Sequence, residues 1–106
     1  MGEKTLFYRH NAQGQIWLIE DDHSRQVMDA FPNPLACAVV HELNNALQRG
    51  QLTSGTATYR AHDTTVLMTP AHGFGERPLP VDGLTREQAI ALAVELHQAG
   101  QMGAYT

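Results

Sequence analysis

The chain has 106 residues, of which 42% are hydrophobic, a formal net charge of −4 and one cysteine. This length suits a single domain with one hydrophobic core, and the acidic balance is not that of a nucleic-acid-binding protein, which normally carries a basic face. A single cysteine excludes an internal disulfide framework and is typical of a reducing compartment. Because no apolar run reaches the length of a signal peptide or a membrane span, we expect a cytoplasmic protein whose partners are neither nucleic acids nor membranes.

The first predicted elements are a β-hairpin and a helix. Segments 5–10 and 15–20 are rich in aromatic and branched residues, and the polar residues between them suit a tight turn. A long loop over 21–34 then leads to apolar residues at helical spacing between residues 35 and 49, and Gly50 is a natural helix stop. This pattern predicts a strand-strand-helix unit.

The second half of the chain follows the same plan. Segments 52–62 and 64–69 are predicted strands, and 70–83 is a second long loop. Thr85, followed three residues later by Gln88, matches a capping box that opens a helix, and Gly100 closes that helix. Apolar residues cover more than half of its circumference, so we expect it to touch both the sheet and a neighbour.

Short sequence matches indicate that the two halves are internal repeats. Tyr8-Arg9-His10 returns as Tyr59-Arg60-Ala61, and residues 48–52 return in degraded form at 98–102. The sequence therefore predicts a single α+β domain over 1–106, made of repeats at about 4–52 and 53–102. In this fold a duplicated β-β-α unit forms a four-stranded antiparallel sheet with both helices packed on one face.

The predicted sheet has an outer face, away from the helices, that is unusually apolar. Side chains alternate strictly along a strand, so one set in each strand must point outward. On this basis the outer set contains four large apolar residues: Phe7, Trp17, Ile19 and Leu67. Exposed apolar patches often mark interaction surfaces, and twofold dimers are the commonest oligomers. We therefore predict an interaction module that forms a homodimer through this face, with another protein or a small ligand as further partners.

The alternative hypothesis is an enzyme or small-ligand sensor built on the rim of the second loop. His72, Glu76 and Asp63 are candidate acid-base groups, since histidine titrates near neutrality. Phe74, which has a glycine on each side, and Arg77 are candidate ligand contacts. Six histidines also suggest a metal, but no pair has the spacing of the helical zinc motif and there is no paired-cysteine motif. We therefore predict neither a metal site nor a cofactor.

A third hypothesis comes from a short motif in the first helix. The segment His41-Glu42-Leu43-Asn44-Asn45-Ala46-Leu47 resembles the phosphoacceptor box of sensor histidine kinases, with Ala46 in place of the usual proline. The resemblance implies phosphotransfer on His41. In those kinases the histidine lies on a long helix of a dimeric bundle that precedes an ATP-binding domain, and the rest of this chain departs from that plan. The competing interpretation is an ordinary helix that buries its two leucines and presents His41, Glu42 and both asparagines to water.

Overall fold

The computed structural model describes residues 5–52, 57–71, 73 and 75–104. The elements in chain order are β1 (Leu6–His10), β2 (Ile16–Glu20), β3 (His23–Met28), α1 (Asn33–Leu52), β4 (Thr58–His62), β5 (Thr65–Thr69), β6 (Arg77–Pro78) and α2 (Arg86–Ala104). They form two successive β-β-β-α units, which confirms the predicted α+β class and its internal repeat.

The strands form two antiparallel sheets of three strands each, in the orders β1-β2-β3 and β4-β5-β6. The prediction of one four-stranded sheet is therefore wrong. In each unit a third strand occupies the edge of the hairpin's second strand, while β1 and β4 lie beside α1 and α2 respectively. No sequence pattern predicted β3, because residues 23–26 are polar and all exposed and therefore lack the apolar alternation of a half-buried strand.

Three tight turns depend on residues with positive φ. Asp21 (φ 49°) and Asp63 (φ 57°) each begin the two-residue turn between neighbouring strands, and aspartate is among the residues that tolerate this left-handed conformation. Gly14 (φ 83°) lies in the β1–β2 connection, against the backbone of Phe31. A Cβ at Gly14 would lie 2.0 Å from the Phe31 carbonyl oxygen, so only glycine fits this contact.

The predicted capping box opens α2. The backbone N–H of Gln88 donates to Oγ1 of Thr85 at 3.1 Å, and the backbone N–H of Thr85 donates to Oε1 of Gln88 at 2.9 Å. Each side chain thus satisfies a backbone donor that has no partner within the helix. This local signal was sufficient to locate the start of the helix.

The glycines that were predicted to end the helices lie inside them. Helix α1 continues past Gly50 to Leu52, and α2 continues past Gly100 to Ala104. A Cβ on Gly50 would lie 2.1 Å from the carbonyl oxygen of Gly100, and a Cβ on Gly103 would lie 2.1 Å from the carbonyl oxygen of Leu47. The glycines therefore permit the two helix backbones to pack in direct contact, and the reciprocal contacts make Gly50 equivalent to Gly103.

This equivalence aligns the rest of the two helices. Counting back from Gly50 and Gly103, Glu42 corresponds to Glu95 and Asn44 to His97. Both glutamates are buried, with exposed fractions of 5% and 7%. Buried side chains from both units form one hydrophobic cluster. Its largest fully buried members are Tyr8, Ile16, Leu18, Val39, Leu43, Val66, Leu92 and Leu96.

Candidate interaction surfaces

The outer face of the first sheet, β1-β2-β3, carries three of the predicted apolar binding residues. The register places Phe7 opposite Ile19, and Trp17 beside them opposite Arg9. Phe7 is 40% exposed, and Trp17 and Ile19 are half-buried. The indole Nε1 of Trp17 is buried and has no hydrogen-bond partner among the described residues. Because Tyr8 and its neighbours fill the core from the opposite face, this sheet is apolar on both sides.

The fourth predicted residue, Leu67, belongs to the other sheet. It lies in β5 between Arg60 of β4 and Pro78 of β6, and it is half-buried. The predicted continuous face, which joined Leu67 to the residues of the first hairpin, therefore does not exist within one sheet. The division of the strands into two sheets separates them.

The two acidic residues of the predicted loop rim are each bound to an arginine. The guanidinium of Arg60 donates from Nη2 to Oε1 of Glu76 at 2.7 Å and from Nε to Oε2. Nε of Arg86 donates to Oδ1 of Asp63 at 2.7 Å, which ties the β4–β5 turn to the start of α2. The hydrogen bonds and charge of Arg60 lower the pKa of the Glu76 carboxyl. A carboxylate held ionised in this way is a weaker proton acceptor near neutral pH.

The remaining rim residues do not form a described site. Arg77 is exposed on β6, opposite Met68 of β5. His72 and Phe74 lie outside the described residues. The acid-base role of His72 with Glu76 or Asp63 therefore stays a prediction. Within the described ranges, no three histidine, cysteine, aspartate or glutamate side chains come together as a metal site would require.

The kinase-like segment lies in the middle of α1, where its residues have different surroundings. His41 is exposed, but Glu42 is buried, so the expectation that Glu42 faces water is wrong. Asn44 also turns inward: its Oδ1 accepts from the backbone N–H of Tyr8 at 2.7 Å, and its Nδ2 donates to the Tyr8 carbonyl oxygen at 3.1 Å. One side-chain amide thus satisfies both outward-facing backbone groups of Tyr8 on edge strand β1.

A buried tyrosine and glutamate join the first sheet to the second helix. The hydroxyl of Tyr8 donates to Oε2 of Glu95 at 2.9 Å. Burial, and then the charge of Glu95, raises the pKa of Tyr8. Burial also raises the pKa of Tyr59, although a hydrogen bond from Arg49 opposes that shift. The hydrogen bond between Tyr8 and Glu95 was not predicted from the sequence, although a glutamate within the apolar stripe of α2 was a visible signal for it.

A groove of about 680 Å³ lies between β4 and α2. Residues 58–61 form one side, and Ile90, Val94 and His97 lie on the other. Ile90 is 57% exposed and Val94 is 53% exposed. The wide apolar stripe predicted for α2 therefore extends beyond the core onto the surface of this groove. A smaller cleft of about 520 Å³ lies between the end of β3 and the first turns of α2, with Asp29 and Glu87 at its edge.

Comparison with known proteins identifies no relative: no family model matches the chain, and no significant match was found among curated proteins or solved structures. Of the two helices in the described part of the chain, neither has the length and apolar character needed to cross a membrane.

Proposed function

We propose that this protein is a small cytoplasmic interaction module that forms a homodimer through the outer face of the first sheet. The observation that carries the proposal is the exposed position of Phe7 beside Ile19 and Trp17. The opposite face of the same sheet is already used, because Tyr8 and Leu18 are buried in the core. Covering the outer apolar side chains with a second copy would remove them from water and lower the free energy.

The surroundings of these residues suit a contact between two copies. The register places Arg9, Ser24 and Gln26 in the same rows of side chains as Trp17 and Ile19. An apolar centre with a polar rim is the usual composition of a protein interface. In a twofold dimer the same patch serves on both subunits, so one cluster of apolar residues is sufficient.

Light scattering across a dilution series tests the proposal. We expect the native protein to be a dimer and the Phe7→Asp variant to be a monomer, since the substitution places a charge at the centre of the contact. Ala30→Asp is the matched control, because it adds the same charge at an exposed site outside the sheet. A native protein that is monomeric at every concentration, or a Phe7→Asp variant that remains dimeric, would contradict the proposal.

A further inference from the structure

The free edge of the first strand has different hydrogen-bond partners in the two units. Tyr8 pairs with Leu18 in the first unit, and Tyr59 pairs with Met68 in the second, so the two tyrosines are equivalent. In an antiparallel pair, alternate residues direct their N–H and C=O groups away from the partner strand. Tyr8 does so towards Asn44, and the same register directs the backbone groups of Tyr59 towards the groove beside α2.

Among the described residues, the side chain that closes the first edge has no counterpart at the second. His97 stands at the position in α2 that corresponds to Asn44, and its Nε2 lies 3.2 Å from Nε2 of Gln101 on the same helix. Within the described residues, no side chain bonds to the N–H or C=O of Tyr59 as Asn44 bonds to those of Tyr8. The N–H and C=O of Tyr59 at the edge of β4 are therefore open to a partner, whereas those of Tyr8 at the edge of β1 are already bonded to Asn44.

Part of the wall opposite this edge is apolar: Ile90, Ala93 and Val94 line it, followed along α2 by polar residues, His97, Gln98 and Gln101. Ile90 and Val94 project from α2 with more than half of each side chain exposed. Arg60, which also lines the groove, forms an ion pair with Glu76, so its positive charge already has a partner. An occupant that fits this groove combines a donor and an acceptor for Tyr59 with apolar groups for Ile90 and Val94.

We propose that the groove between β4 and α2 binds an extended, apolar peptide segment of a partner protein. The carboxamide of Asn44 indicates which groups the bound segment must offer, because it presents one N–H and one C=O as a residue of a β-strand does. A bound strand would pair with Tyr59 and, two residues along, with Ala61, and its side chains would cover Ile90 and Val94. Addition of a strand to a free sheet edge is a common mode of peptide recognition. The site is independent of the proposed dimer face, which lies on the other sheet.

Selection from a library of random linear peptides, displayed to the full-length protein, supplies the probe. The selected peptides are then titrated into isotope-labelled protein and followed by amide NMR. We expect the amide resonances of Tyr59 and Ala61 to move and their hydrogen exchange to slow. Ile90→Asp should weaken binding at least about tenfold. Cys37→Asp is the matched control, since Cys37 is the exposed residue at the position in α1 that corresponds to Ile90, and it should leave the affinity unchanged.

Three results would overturn the proposal. The first is the absence of any selected peptide with a Kd below about 100 µM. The second is binding that moves resonances elsewhere, or that Ile90→Asp leaves intact although the amide spectrum shows the variant to be folded. The third is a Tyr59 resonance that depends on protein concentration without peptide, because a second copy would then occupy the groove. Phe7→Asp should keep peptide binding, so failure of the dimer proposal and failure of this one are distinguishable.

Discussion

Gly50 of α1 lies so close to Gly100 of α2 that a Cβ on Gly50 would sit 2.1 Å from the Gly100 carbonyl oxygen. The obstructing atom belongs to a helix backbone, so it cannot move aside as the end of a flexible side chain could. Gly103 makes the reciprocal contact with Leu47. The pair of contacts thus sets the separation of the two helices from both sides.

Replacing either helix glycine with alanine should lower the free energy of unfolding, because the two helix backbones leave no room for a Cβ. In an unconstrained helix, Gly→Ala stabilises by about 1 kcal/mol because alanine has the higher helix propensity. Here we expect Gly50→Ala and Gly103→Ala each to destabilise by about 1–3 kcal/mol, the usual cost of overpacking. Urea unfolding would measure the change, with Gln48→Ala on the exposed side of α1 as the control. A more stable Gly50→Ala variant would show that the helices do not pack at this distance.

Removing the Asn44 amide should open the edge of β1. In Asn44→Ala the N–H and C=O of Tyr8 lose their partners, which we expect to cost about 1–3 kcal/mol and to speed hydrogen exchange at the Tyr8 amide. Asn45→Ala, one residue along α1, is the control and should leave that amide protected. Equal exchange at Tyr8 in the native protein and in Asn44→Ala would contradict the role assigned to this side chain.

Introducing an asparagine beside β4 should close the edge of that strand. His97→Asn places a carboxamide at the position equivalent to Asn44, so we expect the Tyr59 amide to exchange more slowly than in the native protein. Hydrogen exchange followed by NMR measures this directly, with Gln98→Asn on the neighbouring exposed position as the control. If His97→Asn left the Tyr59 amide unchanged, the two strand edges would not be equivalent.

Stability should fall in alkali because the native state keeps Tyr8 protonated. Burial and Glu95 raise the pKa of Tyr8 in the folded state, whereas an unfolded tyrosine ionises near pH 10. The contribution is therefore complete below about pH 10 and is lost as the pH rises further, at up to about 1.4 kcal/mol per pH unit. Tyr59, whose pKa is also raised by burial, acts in the same direction.

Tyr8→Phe separates the contribution of Tyr8 from that of Tyr59. Below pH 10 the variant should be less stable by about 1–2 kcal/mol, because Glu95 loses a buried donor. Above pH 10 its stability should decline less steeply than that of the native protein. Urea unfolding across the alkaline range measures both effects, and parallel declines for the two proteins would contradict the assignment.

The ion pair between Arg60 and Glu76 predicts a shifted titration in acid. Arg60 lowers the pKa of the Glu76 carboxyl, so this pair contributes above the ordinary glutamate pKa and the contribution is lost as the pH falls through the lowered one. In Arg60→Ala we expect the pKa of Glu76 to rise towards its ordinary value, as measured by carboxyl NMR titration. Arg77→Ala, on β6 at the other edge of the same sheet, is the control. An unchanged Glu76 pKa in Arg60→Ala would mean that the pair does not persist in solution.

Local signals in the sequence located several elements because short-range physics controls them. The aromatic and branched residues of 5–10 and 15–20 predicted β1 and β2, which the structure places at Leu6–His10 and Ile16–Glu20. Thr85 and Gln88 marked the start of α2 because a capping box satisfies its own backbone donors. Residues 23–26 of β3 carried no such pattern, since they are exposed and are held in place by pairing with β2.

By itself, then, the sequence determined the α+β class, the first hairpin and the capped helix, because each depends on propensities and periodicities within a few residues, and its short matching segments indicated the repeat. Only the tertiary structure decided that Gly50 and Gly100 pack together inside helices, that the strands divide into two sheets, and that Asn44 closes one edge while the groove lies beside the other. These features join residues from distant parts of the chain. The same glycine can end a helix or admit a neighbouring backbone, and only the packing of the whole chain selects between the two.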